Sequence, residues 1–174
     1  MLLGEYGDMS TVARITAVMG PGCKSWLPLF RSASGGKLRL VGDGSNMHHP
    51  ADVSGIVDGL IRCAISPGAA GRIYNLAGPE PLSIASLRTL MAGSSIRQPV
   101  PYPRAPMDFY YHAARVIDRV TGVRLPFFES VALLTANRVL DLTRARDEIG
   151  YAPSVDIASA ARRTADWYRS QGWL

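Results

Sequence analysis

Two adjacent histidines, His48 and His49, are the side chains whose type and position most readily suggest chemistry. Histidine transfers protons near neutral pH and is a common metal ligand. Adjacent side chains of an extended segment point to opposite faces, and the spacing of the sequence places no third ligand beside them. The pattern therefore favours a structural or cleft-lining role over catalysis, and we predict no metal site.

The composition indicates one unit with a hydrophobic core. The chain has 174 residues, of which 47% are hydrophobic, enough for a core of ordinary size. Cys23 and Cys63 are too few for a disulfide framework and are not spaced as a metal-binding pair. We expect both to be reduced thiols, as is usual for an intracellular protein.

The formal net charge of +5 does not by itself predict a nucleic-acid partner. The chain has only two lysines, and its arginines are scattered and interleaved with acids. It contains no apolar run of about twenty residues and no basic start followed by an apolar stretch. We therefore expect a cytoplasmic protein with no nucleic-acid partner and no membrane partner.

Hydrophobic periodicity and turn residues predict strands that are separated by helices, which is typical of an α/β fold. Ser83 is a suitable N-cap, and the proline-rich segment 99–106 predicts an extended connection between two portions of the chain. The predicted strands are 12–18, 38–41, 72–76 and 138–141, and the predicted helices are 26–30, 53–64, 84–91, 107–121, 143–149 and 157–168.

Four segments resemble, in the same order, the second half of the extended short-chain dehydrogenase/reductases, the NAD-dependent epimerase/dehydratase family. These segments are 14–22, 41–53, 71–84 and 141–174, and the third is the most specific match. The resemblance implies one compact unit over residues 1–174, with late Rossmann strands and helices in 1–98 and a mainly helical substrate lobe in 99–174. The expected fold is the terminal part of a Rossmann-type sheet plus the small mixed α/β substrate-binding lobe.

Two features of that family have no counterpart in these residues. The sequence contains no Gly-x-x-Gly-x-x-Gly loop of the kind that receives a dinucleotide diphosphate at a helix start. It also contains no tyrosine followed four residues later by lysine; Tyr111 and Arg115 have the spacing, but arginine stays protonated. We therefore expect a chain that lacks the N-terminal Rossmann half, has no catalytic residue and binds no cofactor alone. NAD or NADP belongs to the intact family.

The resemblance also implies positions for a site. If a Rossmann half is supplied, the strand end beside the nicotinamide consists of Ile15, Thr16 and Ala17. The implied substrate-binding residues are Met19, Pro21, His48 and His49.

The implied substrate is a small molecule, with nucleotide-sugars among the candidates. Ala17 and the region 47–49 stand where nucleotide-sugar members often carry an asparagine and an arginine, so hydroxysteroid-dehydrogenase-like and flavonol-reductase-like branches stay open. The implied function is the substrate-binding portion of an NAD(P)-dependent epimerase, dehydratase or reductase-like protein that does not turn over alone. The alternative is a stand-alone ligand-binding or protein-interaction module. An uncovered edge along 12–18 predicts a homo-oligomer or a partner that covers the sheet.

Overall fold

The computed structural model describes residues 10–35, 39–92, 100–122 and 136–174, within which short strands alternate with helices. The strands are β1 (Val12–Ile15), β2 (Val18–Met19), β3 (Arg39–Val41), β4 (Met47–His48), β5 (Ala51–Asp52), β6 (Ile73–Leu76), β7 (Leu82–Ser83) and β8 (Val100–Tyr102). The α-helices are α1 (Leu27–Ser34), α2 (Val53–Ile65), α3 (Ile84–Ala92), α4 (Arg104–Thr121), α5 (Thr143–Ile149) and α6 (Ile157–Ser170). A single 3-10 turn, Lys24–Trp26, leads directly into α1.

The strands form pairs, three of them parallel. β1 pairs with β6, β2 with β5 and β3 with β8 in parallel, whereas β4 and β7 are antiparallel. Helix α2 connects β5 to β6 and so links the β2–β5 pair to the β1–β6 pair. The α/β class predicted from the sequence is confirmed.

The prediction of one continuous strand over 12–18 is wrong, because the chain changes partner at its midpoint. β1 ends where Ile15 lies opposite Leu76, and the amide of Thr16 still donates to the Leu76 carbonyl at 3.2 Å. The next carbonyl, that of Ala17, instead accepts from the amide of Ala51 at 3.0 Å, and β2 then pairs with β5. The β-branched run is continuous in sequence, but two different neighbouring strands satisfy its backbone.

The prediction of a strand over 138–141 is also wrong. Only Arg138 forms a bridge, to β4. Further along, the amide of Leu140 donates to Nδ1 of His49 at 3.3 Å, and the carbonyl of Asp141 accepts from the side chain of Asn75 at 2.9 Å. Side chains satisfy the backbone of Leu140 and Asp141, so the segment forms no ladder beyond the bridge at Arg138.

The proline-rich connection 99–106 is shorter than predicted. It contains β8, and α4 already begins at Arg104. Pro106 therefore lies in the first turn of a helix, where a missing amide donor is tolerated because those amides have no intrahelical partner. The other end of α4 is at Gly122, whose φ of +70° is a left-handed conformation that favours glycine.

Two hydrophobic clusters form the core of the described residues. In the first, Phe30 of α1, Leu87 of α3 and Tyr168 of α6 are almost completely buried. In the second, Leu76 of β6 and Tyr151, which follows α5, are almost completely buried. In both clusters, therefore, helices from residues 99–174 pack against elements from residues 1–98.

Helix α2, predicted from its periodicity, is confirmed and has apolar side chains on two faces. Asp52 caps its first turn by accepting from the amide of Ser54 at 2.9 Å. The inner face buries Ile56, Gly59 and Cys63. The opposite side, which we call the outer α2 face, consists of exposed Val53, Val57, Leu60, Ile61 and Ile65.

Candidate functional site

A cavity of about 590 Å³ lies where the junction of β1 and β2 meets β4, the first turn of α1, α3 and the segment 138–140. Its size is within the range of small-molecule sites, about 300–1,000 Å³. Most of its wall is apolar and includes Trp26, Leu29, Ile84, Leu87 and Met91. The shape and the lining together are those of a pocket for an organic ligand.

The predicted nicotinamide-side strand end lines this cavity. Ile15, Thr16 and Ala17 all contribute to the wall, at the point where the chain leaves β6 and joins β5. The backbone changes its hydrogen-bonding partner from β6 to β5 at these residues. This change interrupts the strand pairing beside the pocket and so positions the three residues in the wall. Of the predicted substrate residues, Met19 is instead fully buried in the first core cluster, and Pro21 is exposed outside the cavity lining.

His49 lines the cavity with both ring nitrogens already engaged. Its Nε2 lies 2.9 Å from the carbonyl oxygen of Gly78, to which it donates, and its Nδ1 accepts from the amide of Leu140 at 3.3 Å. These two contacts fix one neutral tautomer, because one nitrogen must donate and the other must accept. His49 therefore holds the segment 138–140 against the loop after β6, and it is not arranged as a proton-transfer group.

His48 also lines the cavity and is buried. Its Nε2 lies 3.4 Å from the side-chain nitrogen Nδ2 of Asn46, and that nitrogen donates to the carbonyl of Ala136 at 3.4 Å. The antiparallel pairing of β4 with β7 fixes its backbone. Among the described residues, no three histidine, cysteine or acidic side chains are grouped as metal ligands.

Arg88 is the residue of this cavity that sequence reasoning missed. It lies on α3, lines the pocket and is only 6% exposed. Its Nε is buried without a hydrogen-bond partner, and burial lowers the pKa of the guanidinium. The signal was present in the spacing, because residue 88 is four positions after Ile84 and so shares the buried face of α3 with Leu87 and Met91.

The electrostatic character of the cavity is positive. Arg88 and Arg138 line it, and none of the described lining residues is acidic. Trp26 is fixed against the wall because its indole N–H donates to the carbonyl of Val18 at 2.7 Å. The cavity therefore combines a rigid apolar wall with a buried cation, which suits a ligand that has an apolar body and an anionic group.

No protein-family model matches the sequence. The 3beta-hydroxysteroid-dehydrogenase/decarboxylase isoform 1 of Arabidopsis thaliana is 28% identical over 180 residues, which cover 94% of this chain and 41% of that protein. The 2-alkyl-3-oxoalkanoate reductase of Stenotrophomonas maltophilia is 28% identical over 179 residues, which cover 94% of this chain and 53% of that protein. The chain thus spans about half the length of the curated relatives that it matches.

The solved structures show the same relation in fold. The UDP-glucuronic acid 4-epimerase of Bacillus cereus, solved with UDP-glucuronic acid and NAD, superposes with a TM-score of 0.64 at 14% identity. The superposition covers 92% of this chain and 45% of the epimerase. In sequence and in fold, the chain is therefore similar to members of the NAD-dependent epimerase/dehydratase family over about half of their length.

Proposed function

We propose that the chain is the substrate-binding portion of an NAD(P)-dependent epimerase, dehydratase or reductase-like protein, and that the cavity between the β1–β2 junction and α3 is its substrate site. One observation carries this proposal. Thr16 and Ala17, at the strand end expected to face the nicotinamide, open onto the same cavity as His48 and His49. A ligand in this cavity would lie beside the position at which a hydride is transferred.

The chain is proposed not to bind the dinucleotide by itself. Its residues include no glycine-rich loop at a helix start, which is the feature that receives the diphosphate. They also include no Tyr-x-x-x-Lys pair, so a cofactor-binding half, in the same polypeptide or in another, would supply both the cofactor site and the general acid. The residues present therefore do not fit NAD, and we assign no catalytic residue.

The apolar wall favours a substrate with an apolar body over a nucleotide-sugar. Trp26, Leu29 and Met91 offer almost no hydrogen-bond partners for sugar hydroxyl groups. The names of the relatives allow this choice, because one acts on a hydroxysteroid and another on an alkyl-substituted oxoalkanoate. A preference for an apolar substrate agrees with Ala17 and the region 47–49, which depart from the residues that nucleotide-sugar members often carry.

The indole N–H resonance of Trp26 provides a local test of this site. Trp26 lines the cavity, whereas Trp167 and Trp173 contact each other and do not line it, so they serve as internal controls. Titration with decanoate and decanol should shift the Trp26 resonance while the other two change little. Ala17→Leu, which places a larger side chain at the cavity, should remove the response, and the exposed control Ala152→Leu should retain it. A Trp26 resonance that neither probe moves would exclude the cavity as the site.

A second role, as a module that associates with other protein, is favoured by the outer α2 face. Its five apolar side chains are 40% to 72% exposed, and β1 pairs on only one edge, with β6, among the described strands. An apolar face next to an unpaired strand edge favours burial by a second polypeptide. We propose that a second copy or a cofactor-binding half covers it. Light scattering of the purified chain should show an oligomer, and a monodisperse monomer would refute self-association.

A further inference from the structure

The buried position of Arg88 costs free energy unless a ligand binds its guanidinium group. Its side chain lies in the apolar stripe of α3, its Nε is buried without a hydrogen-bond partner, and no ion pair joins it to an acid among the described residues. A buried cation without a partner loses its hydration and gains nothing in return. Burial accordingly lowers the pKa of Arg88, although an arginine stays protonated.

The surroundings of Arg88 favour an anion from outside the chain. The described lining of the cavity includes no aspartate or glutamate, and its second arginine, Arg138, is exposed. The ring nitrogens of His49 are already used by Gly78 and Leu140. The ion pairs of the described residues engage other arginines, on α2, α5 and α6.

We infer that Arg88 is the anion-binding residue of this cavity and that it receives the carboxylate of a ligand whose body is apolar. This inference rests on the proposed substrate site. A guanidinium presents a planar fork of donors that matches the two oxygens of a carboxylate. The Trp26, Leu29 and Met91 side chains then pack against the hydrocarbon part of the same ligand.

Three probes with one alkyl chain separate the charge from the apolar body. Decanoate, decanol and decyl phosphate each have ten carbon atoms and differ in the head group, and the Trp26 resonance reports binding inside the cavity. Decanoate should bind at least about tenfold more tightly than decanol, the advantage expected for a charge-assisted pair. Decyl phosphate has a larger anionic head group, and it tests whether the cavity around Arg88 accepts a phosphate in place of a carboxylate.

Arg88→Met replaces the guanidinium with a shorter, unbranched apolar side chain and removes the charge. It should fold, because it replaces an unsatisfied buried cation by an apolar group, and it should bind decanoate and decanol with equal affinity. Arg88→Lys keeps the charge without the fork and should retain only part of the preference. Arg146→Met, an exposed arginine on α5 outside the cavity lining, is the matched control and should leave the preference unchanged.

The outcomes separate this inference from the substrate site itself. Equal binding of decanoate and decanol by the wild-type chain, or a carboxylate preference that survives in Arg88→Met, would overturn the role of Arg88 and leave the cavity as a ligand site. Tighter binding of decyl phosphate would overturn the assignment of a carboxylate. If none of the three probes shifts Trp26, the substrate site and the inference both fail.

Discussion

Gly59 provides the sharpest test of how α2 packs against β6. A Cβ atom added at Gly59 would lie 2.8 Å from a ring carbon of Tyr151 and 2.9 Å from a methyl group of Leu76. Favourable carbon contacts need about 3.5–4.0 Å, so these neighbours would have to move by more than about 0.5 Å. Both are almost completely buried, and the Tyr151 hydroxyl donates to the carbonyl of Ala77 at 2.6 Å, so neither moves easily.

Two opposing effects decide the magnitude for Gly59→Ala. Overpacking costs about 1–3 kcal/mol, whereas alanine in place of glycine within a helix contributes about 1 kcal/mol. We expect Gly59→Ala to lower the free energy of unfolding by up to about 2 kcal/mol. Gly55 lies one turn earlier in α2, where an added Cβ would meet Pro153 at 3.6 Å, an ordinary contact. Gly55→Ala should therefore raise the free energy of unfolding by up to about 1 kcal/mol.

Urea unfolding followed by circular dichroism measures this difference directly. The two alanine variants should differ by about 1–3 kcal/mol, with an unchanged dependence of the free energy on urea concentration. Both substitutions are made in one helix, so its intrinsic propensity cancels in the comparison. Equal effects of the two variants would show that α2 does not pack on Tyr151 and Leu76 as described.

Three further predictions concern charge, titration and association. Burial of Asp52 raises its pKa, but hydrogen bonds from Ser54 and the ion pair with α6 outweigh this effect and lower the pKa below 3.8. The Asp52 carboxylate therefore stabilises the fold above about pH 4 and loses that contribution as the pH falls through the folded-state pKa. Asp52→Asn keeps a capping side chain but should lose about 1 kcal/mol at neutral pH and become less acid-sensitive in urea titrations. Burial raises the pKa of Tyr151 from 10.0 to about 12. The corresponding stabilisation of the fold, about 2–3 kcal/mol, is complete below pH 10 and is lost as the pH rises to about 12. Tyr151→Phe should cost about 1–2 kcal/mol at neutral pH and abolish that alkaline loss in the same assay. Ile61→Glu combined with Ile65→Lys, on the exposed outer α2 face, should reduce the mass measured by light scattering while the helical circular dichroism signal is retained. An unchanged mass would exclude this face from the contact.

The helices were the most predictable elements because their signals are local. Asp52 before an apolar period and Gly150 with a φ of +65° define where α2 begins and where α5 ends. The strand pairing was less predictable, since the partner change at Thr16 and Ala17 depends on where β5 and β6 lie. Residues far apart in sequence decide that arrangement, and periodicity does not encode it.

The candidate site was only partly predictable, for a similar reason. The resemblance to a family indicated the strand end at Ile15 and the histidines, and the structure brings them to one cavity. Met19 and Pro21 are near them in sequence, but the strand pairing turns Met19 into the core and leaves Pro21 exposed outside the cavity. Arg88 was missed because a single arginine in an apolar period is usually interpreted as a solvated edge of a helix, although its spacing from Ile84, Leu87 and Met91 placed it on the buried face.

Calorimetry with NADH and with decanoate tests the central claim most directly, namely that this chain has a substrate cavity and no cofactor site. The account predicts heat of binding with decanoate, its loss in Ala17→Leu, and no heat with NADH, because no glycine-rich loop receives the diphosphate. NADH binding at micromolar strength would contradict the account and would require a cofactor site built from other residues of this chain.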